Sequence, residues 1–222
     1  MAVDELWQKL RELGPEKSYR SRDLMLSQGE AGTSVLLLTR GAVWVALRTV
    51  DGTSRFLGFR GPLTLLGEMS AFSGRARNAD VMAVGPCRAV VLPTDRFLWF
   101  VKQQRDLVLD LLWREQERRH ESELKCSELK ALPLEVRLAR SLLRLAEFTA
   151  SLRVAGLTRE ELAQSVGVTR GALRPALAEL RESGVLATRR QLIEIKKVEV
   201  LRSLACVCGG GAALRCDSHH NI

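Results

Sequence analysis

Hydrophobic positions along this chain change period twice, and those changes divide it. Residues 23 to 92 carry short Val- and Leu-rich runs at 35–39, 42–50, 55–59, 79–84 and 87–92. Glycine-bearing breaks separate them, at Gly29–Gly32, Arg40-Gly41, Asp51-Gly52, Gly61-Pro62 and Gly85-Pro86. Short alternating runs bounded by Gly and Pro predict β-strands joined by turns. Asp51-Gly52 between two such runs predicts a hairpin. Many strands at this spacing make a small barrel or jelly roll. Ahead of them, residues 1–10 read as a short amphipathic helix with an acidic start, unlike a secretory leader.

From Pro93 the period turns helical. Pro93-Thr94-Asp95-Arg96 starts a block that runs, with one bend, to about Lys130. Val101, Leu107, Val108, Leu111, Leu112 and Trp113 form its apolar part, 114–123 is almost entirely charged, and Leu124, Leu129 and Leu132 restore an apolar edge. A helix this long reads as the seam of a homodimer. The alternative is a helix lying on its own barrel with the charged stretch solvated. Pro133 breaks it, because proline biases its predecessor out of helical geometry. Another amphipathic helix spans 135–149.

The stretch from Thr158 to Leu180 predicts two short helices and a tight turn. Leu162, Ala163 and Val166 line the first, and Leu173, Leu177 and Leu180 the second. Thr158 lies three residues before Glu161, and Thr169 opens the second helix, so both starts carry caps. Gly167 falls where the chain must reverse. Arg170 and Arg174 lie one turn apart on the outer face. A capped cationic helix held against a partner is how a helix-turn-helix presents side chains to a DNA major groove. Residues 185–187 and 192–195, around Arg189-Arg190, predict a two-stranded wing, and 198–206 a last helix.

Composition agrees. Of 222 residues 46% are hydrophobic, enough for a packed core, and the net charge is +8. Between Leu152 and Arg202 ten Lys/Arg face six Asp/Glu. That excess favours a polyanionic partner. No apolar run reaches the ~18–20 residues of a membrane span, so a cytoplasmic protein without a membrane partner is expected. Five cysteines, mostly bunched at one end, argue against a disulfide scaffold. An enzyme on a metal-binding barrel would need inward histidines, and the chain has only His120, His219 and His220. No nucleophile or carboxylate constellation suggests hydrolysis.

Barrel, long helix and winged helix-turn-helix, in this order, resemble the Crp/Fnr family of bacterial transcription regulators over about residues 5–200. Gln28-Gly29-Glu30 and Arg40-Gly41 match at barrel turns. Leu66-Gly67-Glu68-Met69-Ser70-Ala71-Phe72, followed by Arg77-Asn78-Ala79, is similar to the family's phosphate-binding cassette, and Arg137-Leu138-Ala139 to the start of the helix that leads into its DNA-binding domain. The resemblance implies an α+β fold: a cyclic-nucleotide-binding-type barrel (1–95), a dimerisation helix (96–132), a winged helix-turn-helix (133–205) and a tail (206–222). It also implies double-stranded DNA, RNA polymerase and a small-molecule effector as partners, with cyclic AMP or cyclic GMP as the effector.

The residues themselves support a nucleotide site. Gly67 lets backbone approach a ligand, the amides of Glu68, Met69 and Ser70 open a short helix toward an anion, and Arg77 can pair with a phosphodiester through two N–H groups. Glu68 can accept from a ribose hydroxyl. The alternative is a Glu68–Arg77 ion pair closing an empty barrel. The chain departs from the family pattern at Asn78, where a hydroxyl residue is usual, and the cassette is one residue short. The positions that would meet the purine fall on Ser122 and Glu123, the second bringing a charge toward the site.

The recognition helix departs as well. Gly171 and Pro175 stand where many members read a guanine with a glutamate and an arginine. Pro175 is read as lying early enough for its missing N–H to be tolerated. Arg170 and Arg174 can each clamp guanine O6/N7 or bind phosphate. Thr158, Thr169, Arg189 and Arg190 complete the expected DNA contacts. Beyond the family's core, Cys206, Cys208 and Cys216 with His219 and His220 could wrap a metal ion or sense oxidant. The plain alternative is a tail with incidental thiols.

Overall fold

This computed structural model describes residues 3–206. The order is α1 (Val3–Glu12), β1 (Glu16–Tyr19), β2 (Leu24–Leu26), β3 (Ser34–Arg48), β4 (Ser54–Arg60), β5 (Thr64–Leu66), α2 (Glu68–Ser73), β6 (Asp80–Pro93), α3 (Thr94–Gln103), α4 (Arg105–Ala131) and α5 (Leu134–Thr149). Then come β7 (Arg153–Ala155), α6 (Arg159–Ser165), α7 (Arg170–Glu182), β8 (Leu186–Arg189), β9 (Leu192–Ile195) and α8 (Val198–Ala205).

Two long strands carry the amino-terminal sheet. β3 pairs antiparallel with β6 from Ser34↔Pro93 to Ala46↔Asp80. β1 and β2 add to different stretches of β6, and β4 and β5 to different stretches of β3. The runs expected as four separate strands are therefore halves of two bent ones. Gly41 and Gly85 are bends rather than turns. The ladder slips between Leu38 and Arg40 and again before Ala42, then continues. Gly41 has φ 91°, and a Cβ there would sit 2.6 Å from the Pro86 carbonyl oxygen, so the bulge requires glycine. The bends roll the sheet, but β1 and β4, at the ends of the strand order, do not pair with each other. The rolled sheet is the expected barrel or jelly roll, left open along that edge.

Both faces of β3 are buried, which is why its sequence reads as an almost continuous apolar run. Leu36, Leu38 and Val43 face the inside of the roll with Tyr19, Val81, Ala83 and Ala89. Val35 and Leu37 face outward onto Leu6, Trp7, Leu10, Phe97 and Leu107, so α1, α3 and α4 cover that side. Further along, Ala42, Trp44 and Ala46, with Phe59, pack against Leu145, Val154 and Leu157. The outer face of the sheet is thus a floor for the carboxyl-terminal unit, an arrangement no local pattern announces.

The helical block breaks at Gln104, the single expected bend. Along α4, Leu107, Leu111, Arg114, Arg118, Glu121, Lys125 and Glu128 recur every three or four residues on the covered side. Leu109, Leu112 and Trp113 lie exposed on the other. In the carboxyl-terminal unit, Leu138, Leu142, Leu162, Leu173, Leu177, Leu180, Ile193, Ile195 and Leu201 form one core. Thr158 and Glu161 make a full capping box on α6, and the Thr169 hydroxyl accepts from the Ala172 amide at 3.3 Å. β7, too short to show a period, makes the expected two-stranded wing a three-stranded sheet of order β7-β9-β8.

Candidate functional site

Between the rolled sheet and α4 lies a cavity of about 580 Å³, within the usual range for small-molecule sites. All seven residues singled out for a nucleotide line it: Gly67, Glu68, Met69, Ser70, Arg77, Asn78 and Ser122. Gly67 precedes α2 with φ 82°, and a Cβ there would come within 2.1 Å of Arg77 Nη1. Only glycine lets the guanidinium lie so close to the backbone.

Arg77 is 5% exposed. Its Nη2 donates to the Ser34 carbonyl at 2.5 Å and its Nη1 to the Gly67 carbonyl at 3.4 Å. Burial lowers its pKa, an effect partly offset by Glu30 and Glu68. The Glu68–Arg77 ion pair weighed above does not form. Glu68, also buried, reaches across to α4 and pairs with Arg118 Nη1 at 2.9 Å, while Arg118 Nη2 holds Glu115 at 2.7 Å. The reason is positional: Arg77 is held by two carbonyls, whereas Glu68 begins α2 on the side that α4 covers.

Ser70 is buried under Gly32, Met69 is half exposed, and Asn78 is exposed. The Ser122 hydroxyl donates to the Arg118 carbonyl at 2.9 Å. Glu123 does not enter this cavity. It is exposed and lies 4.0 Å from Arg119, because one helical step past Ser122 turns it away from the sheet. Arg60 and Arg118 are lining residues that the sequence reading missed. Arg118 lies one turn before Ser122, a spacing that points to the same wall. Arg60 carries no comparable signal.

The second site is the outer face of α7. Arg170, Gly171 and Arg174 are exposed there, while Leu173, Ala176, Leu177 and Leu180 face the core. Thr169 is exposed at the helix start, and Arg189 and Arg190 stand exposed at the wing turn. Pro175 is the sixth residue of α7. It lies beyond the turn whose amides lack partners, so it deletes the hydrogen bond that the Gly171 carbonyl would otherwise accept. Thr158 is half-buried, its hydroxyl engaged by the Glu161 amide at 3.1 Å.

Cys206 ends α8, whereas Cys208 and Cys216 lie outside the described residues. Among the described residues no group of three or more His, Cys, Asp or Glu could hold a metal ion. Cys87 is buried, its thiol pushed up to about 11 by burial, and Cys126 is exposed on α4. Among the described residues no helix is long and apolar enough to cross a membrane.

Residues 16–104 match the cyclic nucleotide-binding domain family, and residues 136–204 match the Crp-like helix-turn-helix domain family. A CRP-like cAMP-activated global transcriptional regulator of Mycobacterium tuberculosis is 27% identical over 183 residues, 80% of this chain and 82% of that protein. The cAMP-activated global transcriptional regulator CRP of Pasteurella multocida is 24% identical, over 80% and 88%. Among solved structures, FixK2 from Bradyrhizobium japonicum superposes with a TM-score of 0.70 at 18% identity, covering 88% of this chain and 99% of that one. The c-di-GMP responsive regulator CLP of Xanthomonas campestris gives 0.66 at 19%, over 87% and 99%. The structural matches speak for the fold, and the matched families and curated relatives are those of regulators, not enzymes.

Proposed function

The chain belongs to the Crp/Fnr family of transcription regulators, and from that premise we propose that it is a homodimer whose amino-terminal cavity takes a cyclic nucleotide and thereby controls sequence-specific DNA binding. The observation that carries the proposal is Arg77: a buried guanidinium lining a cavity, held by carbonyls and, among the described residues, ion-paired to no carboxylate. A buried charge without a counter-ion is costly. A phosphodiester supplies that counter-ion.

Glu68 would then accept from the ribose hydroxyl. Because Glu68 already holds Arg118 of α4, a ligand that engages it changes how the long helix is tethered to the sheet. A ligand shifts such an equilibrium only by its difference in affinity between two states, and the Glu68–Arg118 contact is where that difference can arise. Residues 1–95 act as sensor, 96–132 as dimer seam and 133–205 as DNA reader. Leu109, Leu112 and Trp113 offer the apolar part of the seam. Cyclic AMP and cyclic GMP are both candidates. RNA polymerase is the further partner, and the site of action is the cytoplasm, where the DNA lies.

Selection of bound sequences from random duplex DNA, run with and without each nucleotide, tests this reading. The expected product is a two-fold symmetric site with half-sites about 34 Å apart, enriched only when the effector is present. Failure to enrich any sequence, or enrichment indifferent to nucleotide, overturns it.

A further inference from the structure

Arg60 ends β4 and, like Arg77, lines the effector cavity. Its Nη1 donates to the carbonyl of Phe59 at 2.8 Å, and among the described residues its guanidinium makes no other hydrogen bond or ion pair. The local chain makes room for this. The β3–β4 ladder slips between Val45 and Ala46, so that Gly58 pairs with Val45 and Phe56 with Ala46 while Leu57 bulges. A Cβ on Gly58 would lie 2.4 Å from Arg60 Nη1, so glycine there lets the guanidinium fold back along the strand.

Every carboxylate near Arg60 already has another arginine. Its charged neighbours include Arg118, Glu121, Arg144, Glu68 and Lys125. Arg118 holds Glu68 at 2.9 Å and Glu115 at 2.7 Å, and Arg144 holds Glu121 at 2.8 Å. Burial and the neighbouring Arg118 disfavour the Arg60 charge. Two guanidiniums thus line the cavity without a counter-ion, Arg60 and Arg77. Glu68 lines the same cavity as both. A cyclic nucleotide has one phosphodiester and can satisfy only one arginine by charge. With phosphate at Arg77 and ribose at Glu68, the base is left to the rest of the lining, which includes Val45, Leu57 and Arg60 on the sheet and Ser122 on α4.

We infer that Arg60 is a specificity-determining residue that reads the base of the bound cyclic nucleotide and selects guanine over adenine. This rests on the cavity reading given above. With Nη1 engaged by the Phe59 carbonyl, the side-on fork of Nε and Nη2 remains, two parallel N–H donors. Guanine presents two acceptors, O6 and N7, at matching spacing. Adenine replaces O6 with an amino donor that opposes one of them.

Calorimetric titration of the full-length protein with cyclic GMP, cyclic AMP and cyclic IMP tests this. Cyclic IMP keeps O6 and N7 but lacks the 2-amino group. Cyclic GMP and cyclic IMP are expected to bind roughly tenfold or more tighter than cyclic AMP. Arg60→Lys keeps the charge but loses the fork, and Arg60→Ala loses both. Each should bring the ratio close to one, with thermal unfolding confirming that the variant is folded. Equal affinities in the wild type, a preference for cyclic AMP, or cyclic IMP behaving like cyclic AMP would overturn the inference while leaving the cavity reading intact. No heat with any of the three removes the cavity reading and this inference together.

Discussion

Arg22, in the turn between β1 and β2, grips Glu161, in the first turn of α6, through both carboxylate oxygens, at 2.9 and 3.1 Å. The same Glu161 accepts the Thr158 amide at 2.7 Å to complete the capping box. Arg22 Nη1 also donates to the Gly156 carbonyl at 3.0 Å, and it holds a left-handed backbone, φ 72°, to do so. One carboxylate therefore both starts the first helix of the helix-turn-helix and fastens it to the amino-terminal unit. Arg22→Ala should cost roughly 1 kcal/mol, as a partly exposed bidentate pair does. Glu161→Ala should cost more, because it also removes the reciprocal half of the cap. Denaturant unfolding of both variants checks the order, and equal losses would mean that the cap contributes nothing.

Arg77→Ala should weaken cyclic-nucleotide binding by roughly tenfold to a hundredfold, the scale of losing a paired charge-assisted contact. Arg77→Lys should fall between, since a lysine keeps the charge without the fork. The fold should tolerate the change, because the freed Gly67 carbonyl lines the cavity, where water can reach it, and Ser34 is only half-buried. Calorimetry with cyclic AMP and cyclic GMP reads the effect. Full affinity in Arg77→Ala would move the phosphate elsewhere.

What the sequence disclosed follows from range. Thr158 with Glu161, Thr169 and Gly167 are legible because helix caps and reversals are written within four residues. The cassette from Gly67 to Ser70 is contiguous, so it too could be read. Gly41 misled because a glycine between strands marks a turn or a bulge with the same letter, and only the β6 partner decides which. Pro175 was placed one turn too early for the same local reason. The Arg22–Glu161 pair spans 139 positions, Glu68 meets Arg118 across two elements, and Trp44 is buried against a helix of another unit. None of these leaves a periodic trace.

Arg170→Ala combined with Arg174→Ala should abolish specific DNA binding and leave the unfolding temperature nearly unchanged, because both side chains are exposed. The salt dependence separates their roles. Arginines on phosphates lower the slope of log K against log salt by about 0.9 each when removed. Arginines on base edges instead relax the selected sequence, with roughly a tenfold loss apiece. A selected site bound equally by wild type and double variant would remove α7 as the reader.

Lys125 is the one lysine whose charge the fold disfavours enough to titrate near neutrality. It lies over the Phe56 ring at 3.8 Å, and burial, then Arg144 and Arg60, push it down from 10.5 to about 8. Below pH 8 the folded protein carries this penalty in full. Between about 8 and 10.5 the unfolded chain binds a proton that the folded chain does not, so stability attributable to Lys125 rises with pH across that window. Lys125→Met keeps the apolar stem and removes the charge. It should stabilise the protein at pH 7 by roughly 1–3 kcal/mol, less the lost cation–π contact, and the advantage should shrink as pH climbs from 8 to 10.5. Denaturant unfolding of both proteins at pH 7 and pH 10 measures it, and a difference that grows with pH would contradict the assigned burial of the ammonium group.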